Sequence, residues 1–301
     1  MAHTIVKTKA FPPHFYLGLT LVAVFWSASW MHLGALGEYA FFPQWFGYIL
    51  VVDALVAWRT GASLLTRNPH EFVALFLLSA PVWWLFEGMN NFVLNWHYLD
   101  TQEPSFWRML LIGSIDFSTV IPAVFETTEL VATFQFVERL CTNRHIRISP
   151  ALPWVLMYIG SFAFIAVMLA PQVAFPLTWV WLVLIVDPLN YLRGRASLLG
   201  QISRGDWRLV VALALGALIC GVLWEMWNYF AMPKWFYTVP FLGFFELFEM
   251  PLLGYGGYLP FAWELYALYH LFWGVSHRPA RALSLDAAWP PKSHMCHVHE
   301  Y

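Results

Sequence analysis

Charge is what this chain has least of. Only 11% of its 301 residues are Asp, Glu, Lys or Arg, against 60% apolar, and the formal net charge is -2. No basic tract is present, so nothing in it suits a nucleic-acid backbone or another polyanion. Cysteine is scarce as well: Cys141, Cys220 and Cys296 lie far apart and supply no disulfide framework. The sequence has no Cys-x-x-Cys-His, His-Glu-x-x-His, Gly-x-x-x-x-Gly-Lys or Gly-x-Gly-x-x-Gly. Covalent haem, zincin and nucleotide-loop readings therefore have no support. His32, His97 and His270 are not arranged in the repeated pairs of a haem-bearing bundle, and no cofactor is assigned.

What is present is apolar length. A mean hydropathy of +0.59 lies outside the range of soluble globular domains and marks a polytopic membrane protein. Eighteen Trp, thirteen Tyr and twenty-six Phe exceed what a core needs, and are expected at the two membrane interfaces or around a pocket for a long apolar ligand. Lys7 and Lys9 precede the apolar stretch from Phe15 to Met31. No small-residue cleavage site follows, so the stretch is read as an uncleaved first span.

A crossing needs about 20 helical residues. The candidates are Phe15 to Leu36, Pro43 to Trp58, Glu71 to Leu94 and Trp107 to Arg139, then Trp154 to Val173, Pro176 to Tyr191, Trp207 to Phe230 and Tyr237 to Phe272. They fall into two copies. Ala40, Phe42, Pro43, Trp45, Asp53, Arg59 and the run Ala62 to Leu65 return 133 or 134 residues later as Ala174, Phe175, Pro176, Trp179, Asp187, Arg193 and Ala196 to Leu199. Trp84, Glu87, Asn90 and Phe92 recur, after a small shift, as Trp224, Glu225, Asn228 and Phe230.

The fourth segment of each copy is too long for one straight crossing. Pro122 interrupts the first, and Pro251 followed by Gly254-Tyr255-Gly256-Gly257-Tyr258-Leu259-Pro260 interrupts the second. Broken helices are expected there, and irregular backbone at membrane depth requires a cavity or protein to satisfy it. A pocket is thus expected near Gly254 to Pro260, nearer the second copy. Arg59 and Arg67 lie between the second and third spans, Arg193, Arg195, Arg204 and Arg208 in the equivalent second-copy loop, and Arg139, Arg144 and Arg147 join the copies, which puts both termini in the cytoplasm and makes the copies parallel. The expected fold is an all-α, polytopic transmembrane bundle of about eight spans. Repeat one covers 1–145, repeat two 146–275, and a cytoplasmic tail 276–301.

The polar residues in the spans carry the functional signal. Glu87, Asn90 and Asn91 share a helix face, Glu225 and Asn228 repeat it, Asp116 lies mid-segment, and Glu246 and Glu249 share a face further on. A carboxylate facing lipid costs about 2.5 to 3.5 kcal/mol on insertion scales, so these groups should point inward. Four uses fit: acid catalysis on an alkene, with aromatic rings stabilising a cation; a divalent cation site; a proton or substrate path; or hydrogen bonding that holds the copies together. Asp53 and Asp187 read as structural caps or ion pairs. His294, Cys296, His297 and His299 in the tail suit a metal by ligand type but match no zinc spacing.

The order of features from Trp84 to Pro122, and again from Trp224 to Pro251, resembles the repeated membrane domain of integral-membrane lycopene cyclases and carotenoid hydratases. The segments concerned are Pro122-Ala123-Val124-Phe125-Glu126 with Glu129, and Glu246 with Glu249-Met250-Pro251. The adjacent glutamate pair of that family is absent from both. The resemblance implies redox-neutral, proton-initiated chemistry on a polyisoprenoid without a soluble cofactor.

The sequence therefore points to a membrane protein with a carboxylate pocket acting on an isoprenoid or other lipid. Glu225 and Glu249 are the candidate catalytic pair. Glu87, Asn90, Asp116, Trp224, Trp227, Asn228, Glu246, Tyr255 and Glu264 are the candidate binding residues. A transporter, or a structural subunit of a homo- or hetero-oligomeric membrane complex, is the alternative.

Overall fold

The structure, a computed structural model, describes residues 10–100, 105–142 and 144–273. The tail with its His and Cys cluster, and Glu103, lie outside the described residues. Nine longer helices are described: α1 (Pro13–Trp30), α2 (Phe41–Thr60), α3 (Pro69–Val93), α4 (Phe106–Phe117), α5 (Val120–Ala132), α6 (Leu152–Leu169), α7 (Trp181–Leu192), α8 (Arg208–Tyr229) and α9 (Tyr258–Trp273). Six segments are long and apolar enough to cross a membrane: α2, α3, α4 with α5, α6, Pro171–Leu192 and α8. The fold is all-α and the protein is a multi-pass membrane protein. Against the eight expected crossings, α1 with 18 residues and α9 with 16 are not among these six. Leu77 on α3 and Phe162 and Leu169 on α6 are 73%, 71% and 80% exposed, as lipid-facing side chains should be.

Local chemistry sets the helix ends. Asn68 accepts the Glu71 backbone N–H ahead of Pro69, which needs no donor at the first helical position of α3. Gly61, at φ +96°, closes α2 in the left-handed conformation that favours glycine. Between α4 and α5 the chain turns at Ser118–Thr119, four residues before Pro122. A proline there cannot donate to the Ser118 carbonyl and its ring crowds it. Ser79 of α3 bridges the turn, donating to the Phe117 carbonyl at 2.6 Å and accepting from the Ile121 N–H at 3.0 Å.

The two loops that repeat in sequence also bond alike. Asp53 accepts from the Ser63 hydroxyl at 2.8 Å and the Leu65 N–H at 3.0 Å, and Asp187 from the Leu198 and Leu199 N–H groups at 2.6 and 2.9 Å. Ser63 and Ser197 each cap the short helix that follows. Helices meet at glycines. A Cβ on Gly18 of α1 would lie 2.5 Å from the Gly47 carbonyl oxygen of α2, and one on Gly160 of α6 would lie 2.8 Å from the Trp181 carbonyl oxygen. Such close backbone approach is how membrane helices gain packing where lipid offers no hydrophobic drive.

The segment from Tyr237 to Phe272, expected as a broken helix, is helical only in its second part. Only α9 is α-helical; before it come β2 (Lys234–Tyr237), a hairpin of β3 (Glu246–Leu247) and β4 (Met250–Pro251), and a 3-10 turn at Leu252–Gly257. The proline and four-glycine composition prevents a continuous helix. β2 pairs antiparallel with β1 (Trp96–Leu99) in the register Trp96↔Tyr237 and Tyr98↔Trp235, tying the ends of α3 and α8 together. Cys220 is free and buried, so it forms no part of a disulfide framework.

Candidate functional site

Beneath the β1–β2 ribbon is a cavity of about 910 Å³ lined from both halves of the chain. It is not confined to the second copy. Gly254, Gly256, Gly257 and Pro260 form one wall, where the helix-breaking sequence led to an expected pocket. Tryptophan dominates the rest. Trp45 stands 4.8 Å, centroid to centroid, from both Trp224 and Trp227, and Trp179 stacks on Phe86 at 5.5 Å.

Two glutamates anchor the ribbon over this cavity. On the α3 side, Glu87 lines the cavity and its Oε1 accepts from Trp83 Nε1 at 2.8 Å, Trp96 Nε1 at 3.1 Å and the Tyr98 hydroxyl at 2.5 Å. On the α8 side, Glu225 is fully buried, and its Oε1 accepts from the hydroxyls of Tyr237 at 2.7 Å and Tyr258 at 2.8 Å. Glu225 Oε2 has no hydrogen-bond partner among the described residues. Tyr237 and Tyr258 line the cavity and Glu225 stands behind them. Tyr237 lies on the ribbon, outside the spans. Burial, and then the Glu225 carboxylate, hold its hydroxyl well above the ordinary phenol range.

The asparagines explain why each glutamate is followed by an amide three residues on. Asn90 donates to the Trp96 carbonyl at 2.7 Å and accepts from the Asn95 N–H at 2.9 Å; Asn228 donates to the Trp235 carbonyl at 2.7 Å and accepts from its N–H at 2.8 Å. Each clamps the strand after its helix. That presents Tyr98 to Glu87 and Tyr237 to Glu225.

The rim is charged. Arg108 pairs with Glu38 and with Asp100, the latter at 3.2 Å, and Lys234 pairs with Glu249. Glu38, Glu87, Asp100 and Asp116 line the cavity against Arg108 and Lys234, four acids to two bases. That balance disfavours an anionic ligand inside and suits a neutral or cationic one. The aromatic faces act in the same direction, since they attract positive charge.

Of the residues singled out from sequence, Glu87, Asn90, Asp116, Trp224, Trp227 and Asn228 line this cavity. Glu225 is one layer behind. The others are elsewhere: Glu249 is held by Lys234, Glu246 is exposed on the hairpin, Tyr255 donates to the Leu247 carbonyl at 3.0 Å, and Glu264 is buried in α9, accepting from the Leu182 N–H at 3.2 Å. Tyr98, Tyr237 and Tyr258 were missed. A signal for the first two exists in Trp96-His97-Tyr98 and Trp235-Phe236-Tyr237, a repeated Trp-x-Tyr after each Asn.

A second polar cluster lies inside α2 and α5. Glu126, fully buried, neighbours Asp53 and Glu129; Arg67 pairs with Glu129, His14 Nε2 lies 2.9 Å from Asp53, and Tyr269 donates to Glu71. The Pro122 to Glu129 segment thus sits here and not at the cavity. Among the described residues no group of three or more His, Cys, Asp or Glu is arranged to hold a metal ion. No protein-family model matches the chain, and neither the curated proteins nor the solved structures yield a match.

Proposed function

We propose that this protein binds a neutral long-chain isoprenoid or similar lipid in the tryptophan-lined cavity and carries out redox-neutral acid–base chemistry on it. The observation that supports this reading best is the pair Glu87 and Glu225, each bonded to a tyrosine of the ribbon that roofs one apolar cavity. Tyr258 or Tyr237 turns its hydroxyl proton from Glu225 to an alkene carbon, a protonated Glu225 replaces that proton, the cation so formed faces tryptophan rings, and exchange with water at the rim returns the proton from Glu87 to Glu225 after each turnover. Glu87 takes the proton released from a neighbouring carbon, so no electrons enter or leave. Glu249, engaged by Lys234, shapes the rim and stabilises charge from a distance.

The architecture we propose is two parallel copies of four crossings, with both ends cytoplasmic. Counting α1 and α9 gives eight, and at 1.5 Å per residue their 18 and 16 residues extend to roughly 27 and 24 Å, close to a hydrocarbon core of about 30 Å. The matching bonds of Asp53 and Asp187, and of Asn90 and Asn228, support the duplication. The resemblance to integral-membrane lycopene cyclases and carotenoid hydratases supports the substrate class.

The test is mass spectrometry of lipids retained by protein purified in mild detergent, joined to pigment and lipid profiles of cells carrying Glu225→Gln or Glu87→Gln. Both variants should keep the retained isoprenoid and lose its conversion. Profiles identical to wild type in both variants, or no retained isoprenoid, would overturn the reading.

A further inference from the structure

We propose that the loop joining α7 to α8 forms a binding site for a phosphate group, separate from the large cavity. A pocket of about 200 Å³ opens there, several times the ~30 Å³ that a water occupies. Arg195, Ser197, Ser203 and Arg204 line it, with Tyr191 as a wall, and none of its lining residues is acidic. The acids that flank the loop in sequence are engaged: Asp187 accepts from two backbone N–H groups and Asp206 pairs with Arg208. Two guanidinium groups therefore face one small pocket without a carboxylate in it.

One hydroxyl adds to the donor set, since Ser203 donates its own proton to the Gly200 carbonyl at 2.8 Å. Ser197 Oγ accepts from the Gly200 N–H at 3.1 Å, which leaves its own proton to donate. Arg195 is held by one nitrogen, Nη1, on the Leu271 carbonyl at 2.9 Å, and the rest of its planar fork is available for phosphate oxygens. Gly200 keeps the pocket open, because a Cβ there would lie 2.9 Å from Ser197 Oγ and 3.8 Å from Arg204 Nη1. The aligned loop of the first copy has Gly61 for Arg195, Thr66 for Gly200 and His70 for Arg204. There Thr66 bonds back to Ser63, so the two loops differ in chemistry.

The pocket lies just past the end of the Pro171–Leu192 span and just before α8 begins, the level at which lipid headgroups meet a helix bundle. The phosphate can belong to an anionic phospholipid or be free, and two arms distinguish these sources. Full-length protein in nanodiscs of mixed phosphatidylglycerol and phosphatidylcholine is examined by native mass spectrometry for lipid enrichment. Delipidated protein in detergent is melted with inorganic phosphate against chloride at equal ionic strength.

Wild type should enrich phosphatidylglycerol, or be stabilised by phosphate, or both. Arg204→Gln, an exposed position, should weaken either effect about tenfold, equivalent to 1.4 kcal/mol, and Arg193→Gln, outside the pocket, should leave it unchanged. Enrichment in nanodiscs identifies a lipid headgroup; stabilisation by phosphate without enrichment identifies free phosphate. Neither effect in wild type, or an effect undiminished in Arg204→Gln, overturns the proposal.

Discussion

Gly221 offers a way to move Tyr258 without touching Glu225. A Cβ at this position of α8 would lie 2.4, 2.5 and 2.8 Å from Cδ2, Cε2 and Cγ of the Tyr258 ring. Carbon atoms pack at about 3.5 to 4.0 Å, so Gly221→Ala forces the ring back by roughly 1 Å. The hydroxyl that donates to Glu225 at 2.8 Å then leaves hydrogen-bonding range. Overpacking costs about 1 to 3 kcal/mol and the lost bond about 0.5 to 1.5, while alanine regains about 1 kcal/mol of helix propensity. A net loss of about 0.5 to 3.5 kcal/mol is expected in reversible denaturation in mixed micelles. In a Tyr258→Ala background the obstacle is gone, and the same glycine substitution should stabilise by about 0.5 to 1 kcal/mol. The sign change is the test. An equal loss in both backgrounds, or a gain in wild type, refutes the argument.

Gly216→Ala should behave differently, because its Cβ would meet the Thr128 backbone N and Cα at 2.9 and 3.0 Å, and no truncation of Thr128 removes those atoms. Thr128 Oγ1 would be closer still, at 2.5 Å, so Thr128→Ala should relieve the loss of about 1 to 3 kcal/mol only in part, and complete relief there would show that the side chain alone sets the helix spacing. Asn228→Ala orphans the N–H and C=O of Trp235 and should cost about 1 to 3 kcal/mol per group in the same assay. Asn91→Ala, which removes only a bond to the Glu87 carbonyl of its own helix, should cost far less, and equal losses would remove the clamp from the explanation. Tyr237 gives a pH signature. Its folded pKa is raised, so the native state keeps a proton that the unfolded chain releases above pH of about 10, and stability should fall as pH rises past that value. Tyr237→Phe should flatten that fall; parallel slopes for the two proteins would contradict the assignment.

What could be read from the chain alone was whatever short segments dictate for themselves. Asp53 and Asp187 were legible as caps because the partners they bind, Ser63 to Leu65 and Leu198 to Leu199, follow within a dozen residues in a repeated motif. The same holds for the break before Pro122, where the proline removes a donor in its own helix. The hairpin at Glu246–Pro251 was not legible: Glu246 and Glu249 read equally well as one polar face of a helix, and only the Gly and Pro residues beside them argue otherwise. The ribbon was hidden for a different reason, since Trp96 and Tyr237 pair from distant parts of the chain and nothing local reports a partner so far along it.

Correspondence in sequence also fails to fix chemistry at positions whose partners differ. Glu129 and Glu264 occupy matching places, yet Glu129 meets Arg67 while Glu264 accepts a backbone N–H from Leu182. The residue aligned with Arg67 is Gln201, which cannot neutralise a carboxylate. The same asymmetry separates the two cavity glutamates: Glu87 is bonded by two indoles and one phenol and lines the cavity, whereas Glu225 is bonded by two phenols and stands behind them. The extra phenol is Tyr258, supplied by the helix that follows the glycine-rich turn. Glu87 thus reaches the cavity directly and Glu225 only through Tyr237 and Tyr258, and two carboxyl groups in such unlike surroundings are the condition acid–base chemistry sets for assigning one as donor and the other as acceptor.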